Sequence, residues 1–170
     1  MDITPIEAEE CLNKIVYVID NREQPTARLR ERLQWLEPYT RETVSAGDYT
    51  AKTLLPDGSW YYLPVAVERK MSFTELAGCY CQDRGRFTAE FERAKEHGVK
   101  LIILVENATW EDAYNGTYRS KMNPKSFVAS ILTWLARYDC QILFCRPQTT
   151  GKLIRDILRY EMRERLERMM

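Results

Sequence analysis

Apolar positions along this chain change their period several times, and each change marks an element. Residues 14–20 (KIVYVID) form a β-rich apolar run ending in an acid. From Pro25 the spacing shifts to Leu29, Leu33 and Leu36, which reads as a helix. Residues 42–54 and 60–69 are again β-prone and flank Pro56-Asp57-Gly58, where proline presets φ and glycine tolerates a positive one, so this stretch predicts an antiparallel hairpin. Ser72 is a suitable N-cap for helical character that runs, with breaks, to His97-Gly98, and Phe87, Phe91 and Ala94 share one face at i, i+4 and i+7. Residues 101–105 (LIILV) read as a fully buried strand. Pro124 suits the first turn of a helix carrying Phe127, Val128, Ile131, Leu132 and Leu135, and residues 141–145 (QILFC) form another short buried strand. A last helix, from about Lys152, displays Leu153, Ile157, Leu158, Met162 and Leu166 between charges.

The resulting order is strand, helix, hairpin, helix, strand, helix, strand, helix, which predicts an α/β fold with a mixed sheet and helices packed on it. No repeat, low-complexity tract or Gly/Ser linker divides the 170 residues, a length sufficient for one core. A single domain is therefore expected over residues 1–170, with its core at about 14–145 and a C-terminal helix at about 152–168.

Composition narrows the function classes. The 25 basic and 25 acidic side chains cancel, so any polyanion-binding surface must be a local patch. The five cysteines form no CxxC pair and the only histidine is His97, which leaves neither a zinc knuckle nor a disulfide framework and favours reduced thiols. Met1 opens no basic, apolar leader, and no apolar run approaches the roughly 20 residues of a membrane span, so a cytoplasmic protein is expected. Neither a P-loop nor a Rossmann Gly-rich pattern appears.

Candidate chemistry concentrates in the hairpin. Side chains of an extended strand alternate faces, so Glu68 and Lys70 share one surface while Arg69 points to the other. Asp48 is expected on the partner strand beside Gly47, so that two acids and a lysine converge. Such a set suits phosphodiester hydrolysis: hard carboxylate oxygens hold Mg²⁺ or Mn²⁺, the metal acidifies a water, and the lysine orients it. Asp20 and Glu23 add acids at the end of the first strand, and Arg22 offers a planar fork to a phosphate.

These residues also carry a family likeness. DNREQ (20–24), GDY (47–49), VERK (67–70) and Gly85-Arg86-Phe87, in that order, resemble the nuclease domain of the XPF-type (ERCC-type) structure-specific endonucleases. The resemblance implies a restriction-endonuclease-like fold of the PD-(D/E)XK type. It implies Asp20, Asp48 and Glu68 as metal ligands, Lys70 as the water-positioning residue, and Arg22, Arg69 and Arg86 as contacts to the DNA backbone. It also implies branched, flapped or junction DNA as substrate and a homodimer. The last helix, whose apolar stripe alternates with Arg155, Arg159, Arg163 and Arg165, reads either as a cap on the core or as part of a dimer interface, and the resemblance favours the second. Two departures stand out. Thr74 occupies the position of an expected Asp, so that either the adjacent Glu75 substitutes for it or activity is weakened. The length leaves no room for an appended helicase or helix-hairpin-helix module, which implies a minimal form of the kind mobile-element genomes encode.

Other features have plainer readings. Cys79 and Cys81 are ordinary thiols, and His97 is a helix-end residue. Trp60, Tyr61 and Tyr62 are expected to fill one face of the hairpin rather than to stack on bases. Arg119, Lys121 and Lys125 form a cationic loop suited equally to solvent and to a DNA backbone. A second functional reading of the whole chain is a catalytically silent DNA-binding or scaffold module, against which the retained acids argue.

Overall fold

The computed structural model describes residues 2–170 and resolves the chain into two compact units. The first comprises the chain through Val44, Asp48–Ala66 and Gly151–Met170; the second comprises Ser45–Gly47 and Val67–Thr150. Among the described residues no helix is long and apolar enough to cross a membrane.

The first unit opens with α1 (Pro5–Asn13), an element that the hydrophobic pattern does not announce. Its signal is a capping box: Thr4 Oγ1 accepts the Glu7 N–H at 3.3 Å, and the Thr4 N–H donates back to Glu7 Oε2 at 2.8 Å. Strand β1 (Val16–Asp20) follows, then α2 (Ala27–Leu33), capped by Thr26. Strand β2 (Tyr39–Glu42) pairs parallel with β1, and β3 (Tyr49–Leu54) pairs antiparallel with its other edge. The predicted hairpin is present: β4 (Trp60–Tyr62) returns along β3 with Lys52 opposite Tyr62 and Leu54 opposite Trp60.

Both hairpin arms are shorter than expected. Residues 42–54 are not one strand, because the chain bends through residues 45–48 with Gly47 at a φ of 76°. The return arm breaks at Leu63-Pro64, where proline offers no N–H, and resumes as β5 (Val65–Lys70). Leu63 N–H still reaches the Ala51 carbonyl at 2.9 Å, and Thr50 Oγ1 donates to the Val65 carbonyl at 2.7 Å, so the start of β5 stays on β3. Trp60 and Tyr62 are half exposed, their rings flanking the Lys52 ammonium at 4.7 and 5.2 Å, so they lie on the solvent side and do not fill the core.

The second unit takes Val67–Lys70 of β5, then α3 (Phe73–Cys81) and α4 (Arg84–Glu96), which together replace the single broken helix expected there. Strand β6 (Lys100–Glu106) is buried from Leu101 onward, lies next to β5 and pairs parallel with β7 (Gln141–Cys145). Between them run α5 (Trp110–Asn115) and α6 (Pro124–Tyr138). In α6 the buried stripe is Phe127, Val128, Ile131 and Trp134, whereas Leu132, expected inside, is exposed: the indole takes the inward position one turn beyond Ile131. The core is aromatic. Phe87 stacks on Trp134 with ring centroids 4.8 Å apart, and Tyr80, Phe91 and Tyr138 meet the indole at 4.9 to 5.3 Å.

The last helix, α7 (Pro147–Glu167), begins a turn earlier than expected and buries Ile154, Leu158, Met162 and Leu166 within the first unit. Its Gly151 lies against α2: a Cβ there would come within 2.9 Å of the Arg32 Cα and 3.0 Å of its carbonyl oxygen. Backbone on the far side cannot yield as a side-chain end would, so Gly151→Ala is expected to destabilise by about 1–3 kcal/mol despite alanine's better helix propensity. Urea unfolding followed by circular dichroism measures it, and a gain in stability would contradict the close approach.

Candidate active site

Asp20 closes β1 and is 1% exposed. The sharp turn after it directs four donors at one carboxylate. Arg22 Nε and Nη2 donate at 2.6 and 3.1 Å, the Arg22 amide at 2.8 Å and the Val44 amide at 3.0 Å. Burial alone would raise this carboxyl, but the guanidinium and the two amides outweigh it and hold Asp20 below its ordinary range. Arg22 is itself exposed, so its fork grips Asp20 from the solvent side.

Asp48 sits in the bend one residue before β3, half-buried, and not on the strand where it was expected. Its carbonyl accepts the Asp20 N–H at 2.8 Å, which ties the ends of β1 and β3 together. Tyr49, next in the chain, is fully buried and donates its hydroxyl to Glu23 at 2.8 Å, while Arg32 donates to that hydroxyl at 3.0 Å and to Glu23 at 3.3 Å. Glu23 therefore serves an internal Tyr-Arg-Glu network that fixes the DNREQ turn against the GDY segment.

In the second unit Glu68 and Lys70 project to the same side of β5, as strand alternation predicts, and form an ion pair 4% and 8% exposed. Lys70 Nζ also lies 5.4 Å from the centre of the Phe87 ring, so the phenylalanine of the Gly85-Arg86-Phe87 element helps to seat the lysine. Glu68 Oε2 is buried without a hydrogen-bond partner. Burial pushes the Glu68 carboxyl up to about 7; Lys70 opposes that rise and the neighbouring Glu90 carboxylate adds to it.

The sign of the resulting pH dependence is fixed. The folded chain retains a proton at Glu68 that the unfolded chain loses near the ordinary 4.5. The associated stability is complete below that value and is lost as pH rises through about 7. In chelator the melting temperature is expected to fall from pH 5 to pH 8, and Glu68→Gln is expected to flatten that slope; an unchanged slope would remove Glu68 as its source.

The remaining predicted residues part company. Arg69, on the other face of β5, is expected to meet DNA but commits its fork to Glu106 at 3.0 and 3.1 Å, and Thr150 donates to the same carboxylate at 2.7 Å. Arg86 is exposed in the first turn of α4. Glu75 caps α3: its carboxylate accepts the Met71 N–H at 2.7 Å while Ser72 Oγ accepts the Glu75 N–H, so it works at the helix end. Thr74 Oγ1 accepts the Arg119 N–H at 3.0 Å. Arg119, Lys121 and Lys125 are exposed, and His97 ends α4 with its Nδ1 2.8 Å from the Arg93 carbonyl.

Residues that the sequence reading passed over are Glu90, Arg93, Arg32 and Glu106. Glu90 Oε1 accepts the Gly47 N–H at 3.0 Å. Its sequence signal is weak: it lies three residues beyond Phe87, among charges that read as a solvated helix face. Among the described residues no group of three or more His, Cys, Asp or Glu side chains forms a ready-made metal cluster.

Comparison with known proteins follows the same lines. The ERCC4 domain model matches residues 19–157. In fold the chain is similar to XPF from Aeropyrum pernix, with a TM-score of 0.63 at 20% identity over 87% of this chain and 65% of that one. XPF from Aeropyrum pernix in complex with DNA gives 0.61 at 19% identity, over 88% of this chain and 66% of that one. The restriction-endonuclease-like fold expected from the motifs is therefore the observed one. The chain thus spans just under two thirds of either solved structure. The probable GTP-binding protein EngB of Desulforamulus reducens is 26% identical over 112 residues, 66% of this chain and 50% of that protein. The phosphate-binding loop of P-loop proteins has no counterpart in this sequence.

Proposed function

Since the chain belongs to the ERCC4 domain family, matched over residues 19–157, we propose that it is a divalent-metal-dependent DNA endonuclease acting on branched, flapped or junction DNA. The observation that carries the proposal is Glu68: a carboxylate buried beside Lys70, with one oxygen lacking any partner, is costly unless it has work to do. That oxygen, to which no protein group donates a hydrogen bond, is of the hard type that Mg²⁺ or Mn²⁺ prefers.

In this reading Asp20, Asp48 and Glu68 hold the cation, which when bound supplies Lewis acidity to water and phosphate. Lys70 donates hydrogen bonds toward the attacking water and is kept rigid by the Phe87 ring and by Glu68. Arg86, exposed, contacts phosphate oxygens, and Arg22, whose Nε and Nη2 donate to Asp20, contributes by holding that carboxylate. Arg69 acts through the stability of β5. Homodimers are the proposed working form, by analogy with the family.

The test is incubation of the protein with labelled duplex, flap, fork and four-way-junction DNA in Mg²⁺ or Mn²⁺, with chelator as control. Metal-dependent cleavage that favours a branched substrate supports the proposal. Binding without cleavage of any of the four, by a folded protein, favours the scaffold reading.

A further inference from the structure

We infer that Glu90 and Arg93 of α4 are positioning residues that clamp the Ser45–Gly47 segment and thereby set the backbone carrying Asp48, a role that rests on the nuclease reading above. The geometry is local to one unit. Glu90 Oε1 accepts the Gly47 N–H at 3.0 Å, and Arg93 Nε donates to the Ser45 carbonyl at 3.3 Å. Residues three apart on a helix face the same way, so α4 takes hold of both ends of a three-residue segment.

The segment needs such a hold. Gly47 is buried and adopts the left-handed region at a φ of 76°, outside any strand, so its amide has no ladder partner. One peptide bond further on, the Asp48 carbonyl accepts the Asp20 N–H at 2.8 Å. Asp48 is thus fixed on its carbonyl side by β1, and the residue before it is fixed by the Glu90 carboxylate. The same carboxylate neighbours Glu68, so one helix residue touches the proposed chemistry at two places. The fourth residue before Glu90 is Arg86, which puts the exposed arginine one turn away along α4.

Glu90→Gln keeps an acceptor oxygen for the Gly47 amide; Glu90→Ala removes it. Two measurements separate the clamp from the nuclease reading: hydrogen exchange at the Gly47 amide, and single-turnover cleavage with DNA affinity measured alongside. Alanine is expected to raise Gly47 exchange and to lower the cleavage rate on the order of 10- to 100-fold, with DNA affinity unchanged. Glutamine is expected to restore both to within about threefold, since the acceptor geometry is retained. The positioning role is overturned if alanine leaves cleavage at the wild-type rate, or if glutamine is as defective as alanine, which would assign the effect to charge. A wild-type protein that cleaves no DNA defeats the nuclease reading alone; the exchange measurement then still decides whether Glu90 holds Gly47.

Discussion

Glu68→Gln is expected to lower metal-dependent DNA cleavage on the order of 10³-fold while leaving DNA affinity within a few-fold of wild type. The amide is nearly isosteric with the carboxylate, so packing around β5 persists, but it supplies no negative charge to a cation. Loss of fold does not account for the expected defect. Burial pushes the carboxyl up to about 7, so the fold already accommodates a neutral group at this position, and the amide still offers Lys70 an acceptor oxygen. Asp48→Asn is the companion variant, because Asp48 is half-buried and its backbone bond to Asp20 does not involve the side chain. Single-turnover cleavage with DNA binding measured in parallel decides the matter. Equal rates for wild type and Glu68→Gln would show that the site has been placed on the wrong residues.

The largest effect on stability is expected from Glu106→Ala. Glu106 is 1% exposed at the end of β6 and accepts both arms of the Arg69 fork together with the Thr150 hydroxyl. Removing it takes away the carboxylate that both arms of this guanidinium, 12% exposed, donate to. Breaking a buried ion pair from one side costs about 3–5 kcal/mol, mostly the penalty of the charge left behind. In a protein of this size the melting temperature should fall by about 10 °C or more. Glu106→Gln keeps an acceptor for Arg69 and should cost less. Thermal unfolding of both variants tests the account; a loss below about 1 kcal/mol for the alanine variant would mean that Arg69 finds solvent.

The Arg69 and Glu106 pair shows where sequence reading stops. Strand alternation put Glu68 and Lys70 on one side of β5 and Arg69 on the other, and the structure agrees. What lies on each side is a tertiary matter: an arginine between two site residues looks like a DNA contact until β6 brings Glu106 beneath it. Glu90 was illegible for the same reason, because its partner is a backbone amide 43 residues away. Asp20 was legible because it terminates an apolar run, yet its four donors come from a turn and from Val44, which no period announces. The long periodic stretches, β1, α4, β6, α6 and α7, were readable as elements; the short capped helices α1 and α5 were not, since six to nine residues carry too few turns for a stripe. Their capping boxes, Thr4 with Glu7 and Thr109 with Asp112, were the usable signal.

Each unit has a strand at an edge, and these two edge strands differ. In the first unit β2 is four residues long, follows Pro38 and carries Arg41 and Glu42, so its outer backbone is short and flanked by charge. In the second unit β7 presents Ile142, Leu143, Phe144 and Cys145, each half-buried, with no charge or proline among them. Unpaired amides and carbonyls beside apolar side chains are a template for another extended chain, and charge or proline blunts them. Self-association of partly folded or concentrated protein is therefore expected to nucleate at Ile142–Cys145 of β7 before it does at β2.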